Sequence, residues 1–328
     1  MSQRLSLVVQ SGDFRVPDEG RIAVFHPREG HDLSDLPDAR LEIIQPLKPE
    51  YDYWAGRGLT SVAEVAEDAT YDAAVVFIPR SKPLARQLVA QAVAATQGPV
   101  LVDGAKTDGI DSLLKELNKR TRPSHAISKA HGKAFCIEGG IDLSDWVPGP
   151  SEVDGGFVTA PGVFSADAID PASALLARAL PKKLGKEVAD LGAGWGYLSA
   201  EILRRSNLET LHLVEADHVA LTCAQTNVTD AHAEFHWADA RSWGQKGSLD
   251  AVVMNPPFHS GRAAEPSLGQ AFIANAARLL KPAGQLWMVA NRHLPYEALL
   301  GECFVSFEEA AGDNRFKILH GVRPRRKG

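Results

Sequence analysis

A β-type run at 186–191 passes at once into glycines at alternate positions and then into a helical pattern. Val188-Ala189-Asp190-Leu191 leads into Gly192-Ala193-Gly194-Trp195-Gly196, and an amphipathic stretch starts at Tyr197. Glycine tolerates the backbone conformations that so tight a reversal demands, and it lets the chain approach a ligand closely. The helix behind the loop turns free N–H groups and the positive end of its dipole toward it, an arrangement suited to a carboxylate. Strand, glycine turn and helix in this order belong to a parallel α/β sheet, whose carboxyl edge is where ligands bind. A dinucleotide loop needs G-x-G-x-x-G, and counting from Gly192 the final position is Tyr197. That mismatch disfavours a nicotinamide oxidoreductase.

The same alternation runs through all 328 residues. In the first half the patterning predicts strands at 21–25, 73–78, 99–103 and 133–137, with helices at 82–95 and 109–120. In the second half it predicts strands at 186–191, 211–215, 234–238, 249–255 and 285–290. Helices fall at 197–206, 218–228 and 268–280, the last stopped by Lys281-Pro282-Ala283-Gly284. The runs 303–307 and 316–320 pair as a closing hairpin-like element. Residues 139–156, rich in Gly, Pro and Asp, read as a link. The expectation is therefore an α/β chain of two domains, 1–150 and 151–328, each a mostly parallel sheet flanked by helices. The halves read as distant copies of one design.

Composition narrows the function classes. No apolar run reaches the ~18 residues of a membrane span, and Met1–Phe14 reads as mature sequence. Cys136, Cys223 and Cys303 form no C-x-x-C pair, so neither a disulfide framework nor a metal site is expected, and a reducing cytoplasm fits. Net charge is −6, with 17 basic against 21 acidic residues in 1–150 and 18 against 20 in 151–328. Indiscriminate coating of nucleic acid is excluded. A specific RNA or ribonucleoprotein remains compatible through local patches: Lys182/Lys183/Lys186, Arg204/Arg205 and Arg323/Arg325/Arg326/Lys327.

The D-x-G-x-G-x-G loop resembles motif I of class I methyltransferases. The resemblance implies S-adenosyl-L-methionine as cofactor, its methionine part wrapped by Gly192, Gly194 and Gly196, with Asp190 near its amino group directly or through water. Glu215 ends the next strand, where a carboxylate accepts from ribose hydroxyls. Asp239, in Trp237-Ala238-Asp239-Ala240, stands where the methyltransferase pattern has the acceptor for the adenine amine, with Ala240 beside it.

Asn255-Pro256-Pro257-Phe258-His259 closes the fourth strand of this half. Two prolines fix φ and remove two N–H donors, leaving acceptors. The exocyclic amine of a nucleobase is a poor nucleophile, because its lone pair is delocalised into the ring. The Asn255 side-chain oxygen and the Pro256 carbonyl hold both N–H bonds, aim the lone pair at the methyl donor and stabilise the charge that builds on nitrogen. Phe258 stacks on the base, a contact worth ~1–3 kcal/mol. Asn255, Pro256 and Phe258 are thus the catalytic candidates, and Asn255 also borders the cofactor. His259 is a proton-passing candidate or a plain loop residue.

With these motifs in order, residues 157–322 resemble the ribosomal RNA guanine-N2 methyltransferases related to small-subunit methyltransferase C. Gly162-Val163-Phe164-Ser165 with the helix start at 167–176, Val289-Ala290-Asn291-Arg292-His293-Leu294-Pro295-Tyr296 and Asn314-Arg315-Phe316-Lys317-Ile318 carry the rest of the likeness. The resemblance implies two tandem Rossmann-like methyltransferase domains, the first degenerate and the second catalytic. It also implies that Phe164 covers the cofactor and that Asn291, Arg292 and Tyr296 shape the guanine pocket or meet phosphate. In the first half, Phe77–Pro83 and Val102–Gly109 carry the likeness without a glycine loop, and Lys82, Lys106, Lys129 and Lys133 are conceivable RNA contacts. Trp195 departs from the small residue usual in the loop. The implied substrate is ribosomal RNA or the small subunit, met by a monomer. The tetrapeptide alone equally serves adenine N6 or glutamine N5 methylation, and a non-catalytic RNA-binding or assembly factor is the other class.

Overall fold

The computed structural model describes residues 3–205, 208–257 and 266–326. The chain forms two compact units, Met1–Gly149 and Pro150–Gly328. Unit one runs α1 (Gln3–Ser11), β1 (Ile22–Phe25), β2 (Leu41–Ile44), α2 (Lys48–Gly56), β3 (Thr60–Val62), β4 (Ala73–Phe77), α3 (Lys82–Ala95), β5 (Pro99–Ala105), α4 (Ile110–Leu117), β6 (Ile127–Lys129) and β7 (Gly132–Glu138). Its sheet has the order β3-β2-β1-β4-β5-β7-β6, with β7 antiparallel to both neighbours. α3 starts where the sequence dictates. Ser81 caps it by accepting from the Leu84 N–H, and Pro83 fills its first turn, where no N–H is needed.

Unit two runs β8 (Ser151–Val153), β9 (Phe157–Thr159), α5 (Pro171–Ala179), β10 (Glu187–Leu191), α6 (Tyr197–Arg205), β11 (Thr210–Glu215), α7 (His218–Asn227), β12 (Ala233–Trp237), β13 (Leu249–Met254), α8 (Pro266–Leu279), β14 (Leu280–Asn291), α9 (Glu297–Cys303), β15 (Phe304–Gly312) and β16 (Phe316–Pro324). Its large sheet has the order β12-β11-β10-β13-β14-β16-β15. Counted from the first strand of each sheet, the two units share one strand order. The shared order agrees with the reading of two copies of one design. Parallel strands buried on both faces carry apolar residues pointing to either side. On β10, Val188 packs into one core with Leu176 and Ile202, while Ala189 and Leu191 face a second core with Ile273 and Leu286.

Three details differ from the sequence reading. Lys281-Pro282-Ala283-Gly284 does not separate α8 from the next strand: β14 already pairs at Leu280, opposite Leu249, and resumes at Gln285, opposite Ala251. The intervening residues form an irregularity in the ladder, where a proline without an N–H is tolerated. The C-terminal hairpin exists, but β16 lies between β14 and β15 and pairs antiparallel with both. The expected link holds the unit boundary and also β8, which pairs with β9.

Candidate functional site

The glycine loop sits at the carboxyl end of β10, the middle one of the five parallel strands. Gly192, Gly194 and Gly196 have φ of +76°, +56° and +92°, which side-chain-bearing residues rarely adopt. The loop is sewn to β11, since Gly192 and Ala193 both donate to the Val214 carbonyl, at 2.8 and 3.1 Å. At Gly196 a Cβ would stand 2.9 Å from Val228 Cγ2, so this glycine packs the loop onto α7. At Gly194 a Cβ would meet nothing within 4 Å, so here the loop borders open space.

Trp195 is buried with Phe157, Ala220 and Cys223, and its indole N–H donates to the Phe164 carbonyl at 2.9 Å. Asn227 donates to the carbonyls of Trp195 and Val158 and accepts from the Val158 N–H. The departure at Trp195 therefore has a structural role, tying the loop to the segment at 153–166. Phe164 itself is 57% exposed, so a place in the core is excluded, and its ring borders the cavities described below.

The three carboxylates differ in setting. Asp190 is fully buried beneath the loop: Ser199 Oγ donates to its Oδ2 at 2.7 Å, while Oδ1 meets no hydrogen-bonding partner among the described residues. Burial above all, with the Glu215 charge adding to it against the Ser199 hydrogen bond, pushes its carboxyl up to about 7. Glu215 accepts from the Gly194 N–H through Oε2 and from the Asp217 N–H through Oε1, both at 2.8 Å. Each oxygen keeps a lone pair for a further donor. Burial raises this carboxyl also, opposed by those backbone bonds. Asp239 is gripped by Arg241, whose guanidinium lies 2.6 Å away and whose backbone N–H donates to Oδ1. The sequence reading left that carboxylate open. Ala240 is buried, its carbonyl accepting from Asn275 Nδ2 at 2.7 Å.

Asn255 follows β13. Its Nδ2 donates to Asp170 Oδ2 and to Ser173 Oγ, each at 2.9 Å. Asp170 caps α5 by accepting from the Ser173 N–H, and Pro171 opens the first turn. With both amide hydrogens taken, the side-chain oxygen is the remaining acceptor, and among the described residues no donor reaches it. Pro256 is buried and Pro257 exposed. Phe258 and His259 lie outside the described residues.

Asn255, Phe164 and Asp170 line two cavities. One contains Gly192, Gly194, Trp195 and Ser173. The other, of about 160 Å³, contains Pro256, Asn291, Tyr296 and Arg315. Tyr296 is fully buried and its hydroxyl has no hydrogen-bond partner among the described residues. Arg292, expected at the pocket or on phosphate, borders an open cavity with Asn291 and Arg315, while pairing with Glu309 at 2.9 Å and donating to the carbonyls of Asp313 and Phe316. Arg315 also lines the cavity beside Pro256, its guanidinium 5.0 Å from the Phe316 ring centroid.

Sequence reasoning passed over Asp170, Ser173, Ser199, Asn227 and Arg315. The Asp170-Pro171 pair was the available signal, an N-cap residue followed by proline in the first turn. The basic clusters are partly neutralised. Lys186 pairs with Glu209, Arg204 with Glu201, Lys82 with Glu116 and Lys133 with Asp111. Lys182, Lys183, Arg323 and Arg326 are exposed.

In unit one the turn after β1 is built otherwise. Its Pro27 carbonyl accepts from Trp54 Nε1 at 3.0 Å and Gln45 Nε2 at 2.8 Å, and His31 stacks on Phe77 with centroids 3.9 Å apart. Side chains fill the ground that the glycine loop leaves open in unit two.

Residues 154–320 match the family described as methyltransferase small domain. Among curated relatives, the ribosomal RNA small subunit methyltransferase C of Hahella chejuensis is 31% identical over 278 residues, covering 78% of this chain and 79% of the relative. The enzyme of the same name from Idiomarina loihiensis is 28% identical over 325 residues, 92% of this chain and 94% of its own. Among solved structures, the T. thermophilus 16S rRNA N2 G1207 methyltransferase (RsmC), in complex with AdoMet and guanosine, superposes with a TM-score of 0.76. It is 24% identical and covers 97% of this chain and 92% of its own, a likeness of fold.

Proposed function

From the premise that this chain belongs to the methyltransferase small domain family, among the ribosomal RNA small subunit methyltransferase C enzymes, we propose that it methylates the N2 amine of a guanine in small-subunit ribosomal RNA, with S-adenosylmethionine as donor. One observation carries the reading: Asn255 stands at the junction of two cavities with its amide nitrogen taken by Asp170 and Ser173. Its oxygen is thereby the group offered to a substrate amine.

The residues present fit the cofactor. Gly194 leaves room above the loop, Glu215 keeps one lone pair on each oxygen, and Asp190 offers, beneath the loop, an oxygen without a partner among the described residues as a counter-charge. Gly192, Gly194 and Gly196 cradle the methionine part, Glu215 takes the ribose hydroxyls, and Asp239 and Ala240 border the adenine, with Phe164 as cover. When bound, S-adenosylmethionine supplies an electrophilic sulfonium methyl.

The remaining chemistry is this chain's own. Asn255 Oδ1 and the Pro256 carbonyl accept the two N–H bonds of the guanine amine and turn its lone pair toward the donor. The flipped amide would set Oδ1 against the Asp170 carboxylate and lose a charge-assisted hydrogen bond, a cost of about 1.5–3 kcal/mol, whereas the Ser173 hydroxyl could serve either orientation. Held in one orientation, the oxygen needs no reorganisation as positive charge develops on the nitrogen. Phe258 belongs to the same loop and is the candidate stacking ring. Asn291, Tyr296 and Arg315 border the space for the base.

Unit one, with the same strand order and a filled turn after β1, is a degenerate methyltransferase-like domain that supports folding or docks RNA. Each unit completes its own sheet, which favours a monomer, and a ribosomal substrate places the enzyme in the cytoplasm. Among the described residues no helix is long and apolar enough to cross a membrane.

The test is incubation of the purified chain and labelled S-adenosylmethionine with small subunits, large subunits and free RNA, followed by nucleoside mass spectrometry and mapping. N2-methylguanosine in small-subunit RNA is expected. Label found only in methyladenosine or methylglutamine, or no transfer to any RNA, would overturn the proposal.

A further inference from the structure

The face of the unit-two sheet that carries Ala189 and Val214 also presents three polar side chains at its β11–β12 edge. Parallel register sets His212 opposite Glu234, and His236 lies two residues further along the same face. Their ligand-type atoms converge. His212 Nδ1 lies 3.0 Å from His236 Nε2 and 3.3 Å from Glu234 Oε2, and that oxygen is 3.8 Å from His236 Nε2.

A single proton between the two rings satisfies one of these contacts and leaves the carboxylate facing a ring nitrogen. A point equidistant from all three atoms and lifted about 0.7 Å out of their plane, as a tetrahedral centre is, lies about 2.1 Å from each, inside the ~2.0–2.2 Å range of zinc bonds to imidazole and carboxylate. The surroundings have the form of a metal site as well. The other nitrogen of His212 faces Glu187 Oε2 at 3.5 Å, the carboxylate contact that orients ligating imidazoles. Trp243 packs against both rings, with centroids 5.4 and 4.8 Å away. The His212 and His236 side chains are largely shielded from solvent.

We propose that His212, Glu234 and His236 form a site for one divalent transition metal of the zinc class, with water completing a tetrahedron. No ligand spacing along the chain announces it, since the three residues come from two strands. The metal would clip the edge strand β12 to β11, and it takes no part in the methyl transfer proposed above.

The test uses the full chain without an affinity tag, stripped with chelator and titrated with zinc(II) in a calorimeter and with cobalt(II) in a spectrophotometer. One equivalent of zinc is expected to bind at sub-micromolar Kd, and cobalt is expected to give the intense visible bands of a tetrahedral complex. His212→Asn and His236→Asn should each weaken zinc at least about tenfold, and Glu187→Gln about tenfold, as losses around metal ligands do. Glu234→Gln, at an exposed position, tests the carboxylate without disturbing the core. Melting curves without metal verify folding of every variant, and zinc should raise the melting temperature of the parent chain more than that of any single variant, and not at all in the His212→Asn/His236→Asn variant. Parent binding no tighter than that of the His212→Asn/His236→Asn variant would overturn the site. So would cobalt spectra lacking the tetrahedral bands.

Discussion

The proposed place of Asp190 beneath the cofactor amine predicts that cofactor affinity depends on pH. The carboxyl is raised to about 7, with burial as the chief cause and the Glu215 charge as a second. A cationic methionine amine bound over the loop requires the ionised form beneath it. Below pH 7 binding must first remove a proton, at about 1.4 kcal/mol or a factor of ten per pH unit. Between pH 7.5 and 5.5 the apparent Kd should therefore rise about 25-fold. The assay is calorimetry with S-adenosylhomocysteine, which keeps the amine, in two buffers of different ionisation enthalpy. Near pH 6 about one proton should be released per ligand bound. Asp190→Asn should flatten the curve, leaving only the part due to Glu215, which burial raises as well. An affinity that stays level over this range in the parent chain, or falls equally steeply in Asp190→Asn, would refute the reasoning. The same shift has a sign for stability. An acid whose folded pKa is raised favours the fold in its protonated form, so its contribution is lost as pH climbs from about 4 to about 7. Unliganded Asp190→Asn should therefore melt higher than the parent at pH 8.

Three further outcomes follow from packing and hydrogen bonding. Gly196→Ala meets both a φ of +92° and a contact of 2.9 Å to Val228 Cγ2; it should cost about 2–4 kcal/mol in urea denaturation, from left-handed strain and overpacking together. Trp195→Phe removes the indole bond to the Phe164 carbonyl and should cost about 1 kcal/mol of stability, with cofactor affinity weakened several-fold by calorimetry. Asp170→Ala takes away a helix cap and a charged acceptor for Asn255, a loss of about 2–4 kcal/mol; Asp170→Ser, which keeps only the cap, should recover the smaller part.

Much of this was readable because period and punctuation coincide. The helix at 82–95 falls on α3 to the residue, since Ser81 and Pro83 mark its start and the apolar period its face. The strand–glycine–helix order fixed the site's position at β10, and the tetrapeptide marked the end of β13. Short elements such as β2, β3 and β6 went unread: three or four residues carry too little period to stand out. The side chains that orient the site were unreadable for another reason. Asp170 and Ser173 lie more than 80 positions from Asn255, and Ser199 reaches Asp190 only after α6 has folded back. Arg292 and Arg315 were interchangeable as charges in the sequence. Glu309, on β15, occupies the first and leaves the second bordering the pocket.

The most direct measurement is single-turnover methylation by Asn255→Ala, with cofactor affinity determined on the same preparation. Loss of a positioned acceptor for developing charge should slow transfer about 10²–10³-fold, while the Kd for S-adenosylhomocysteine stays within about threefold of the parent value, less than 1 kcal/mol. Transfer at the parent rate, or a collapse of cofactor binding large enough to explain the slower rate, would contradict the assignment of Asn255 as the acceptor that holds the amine.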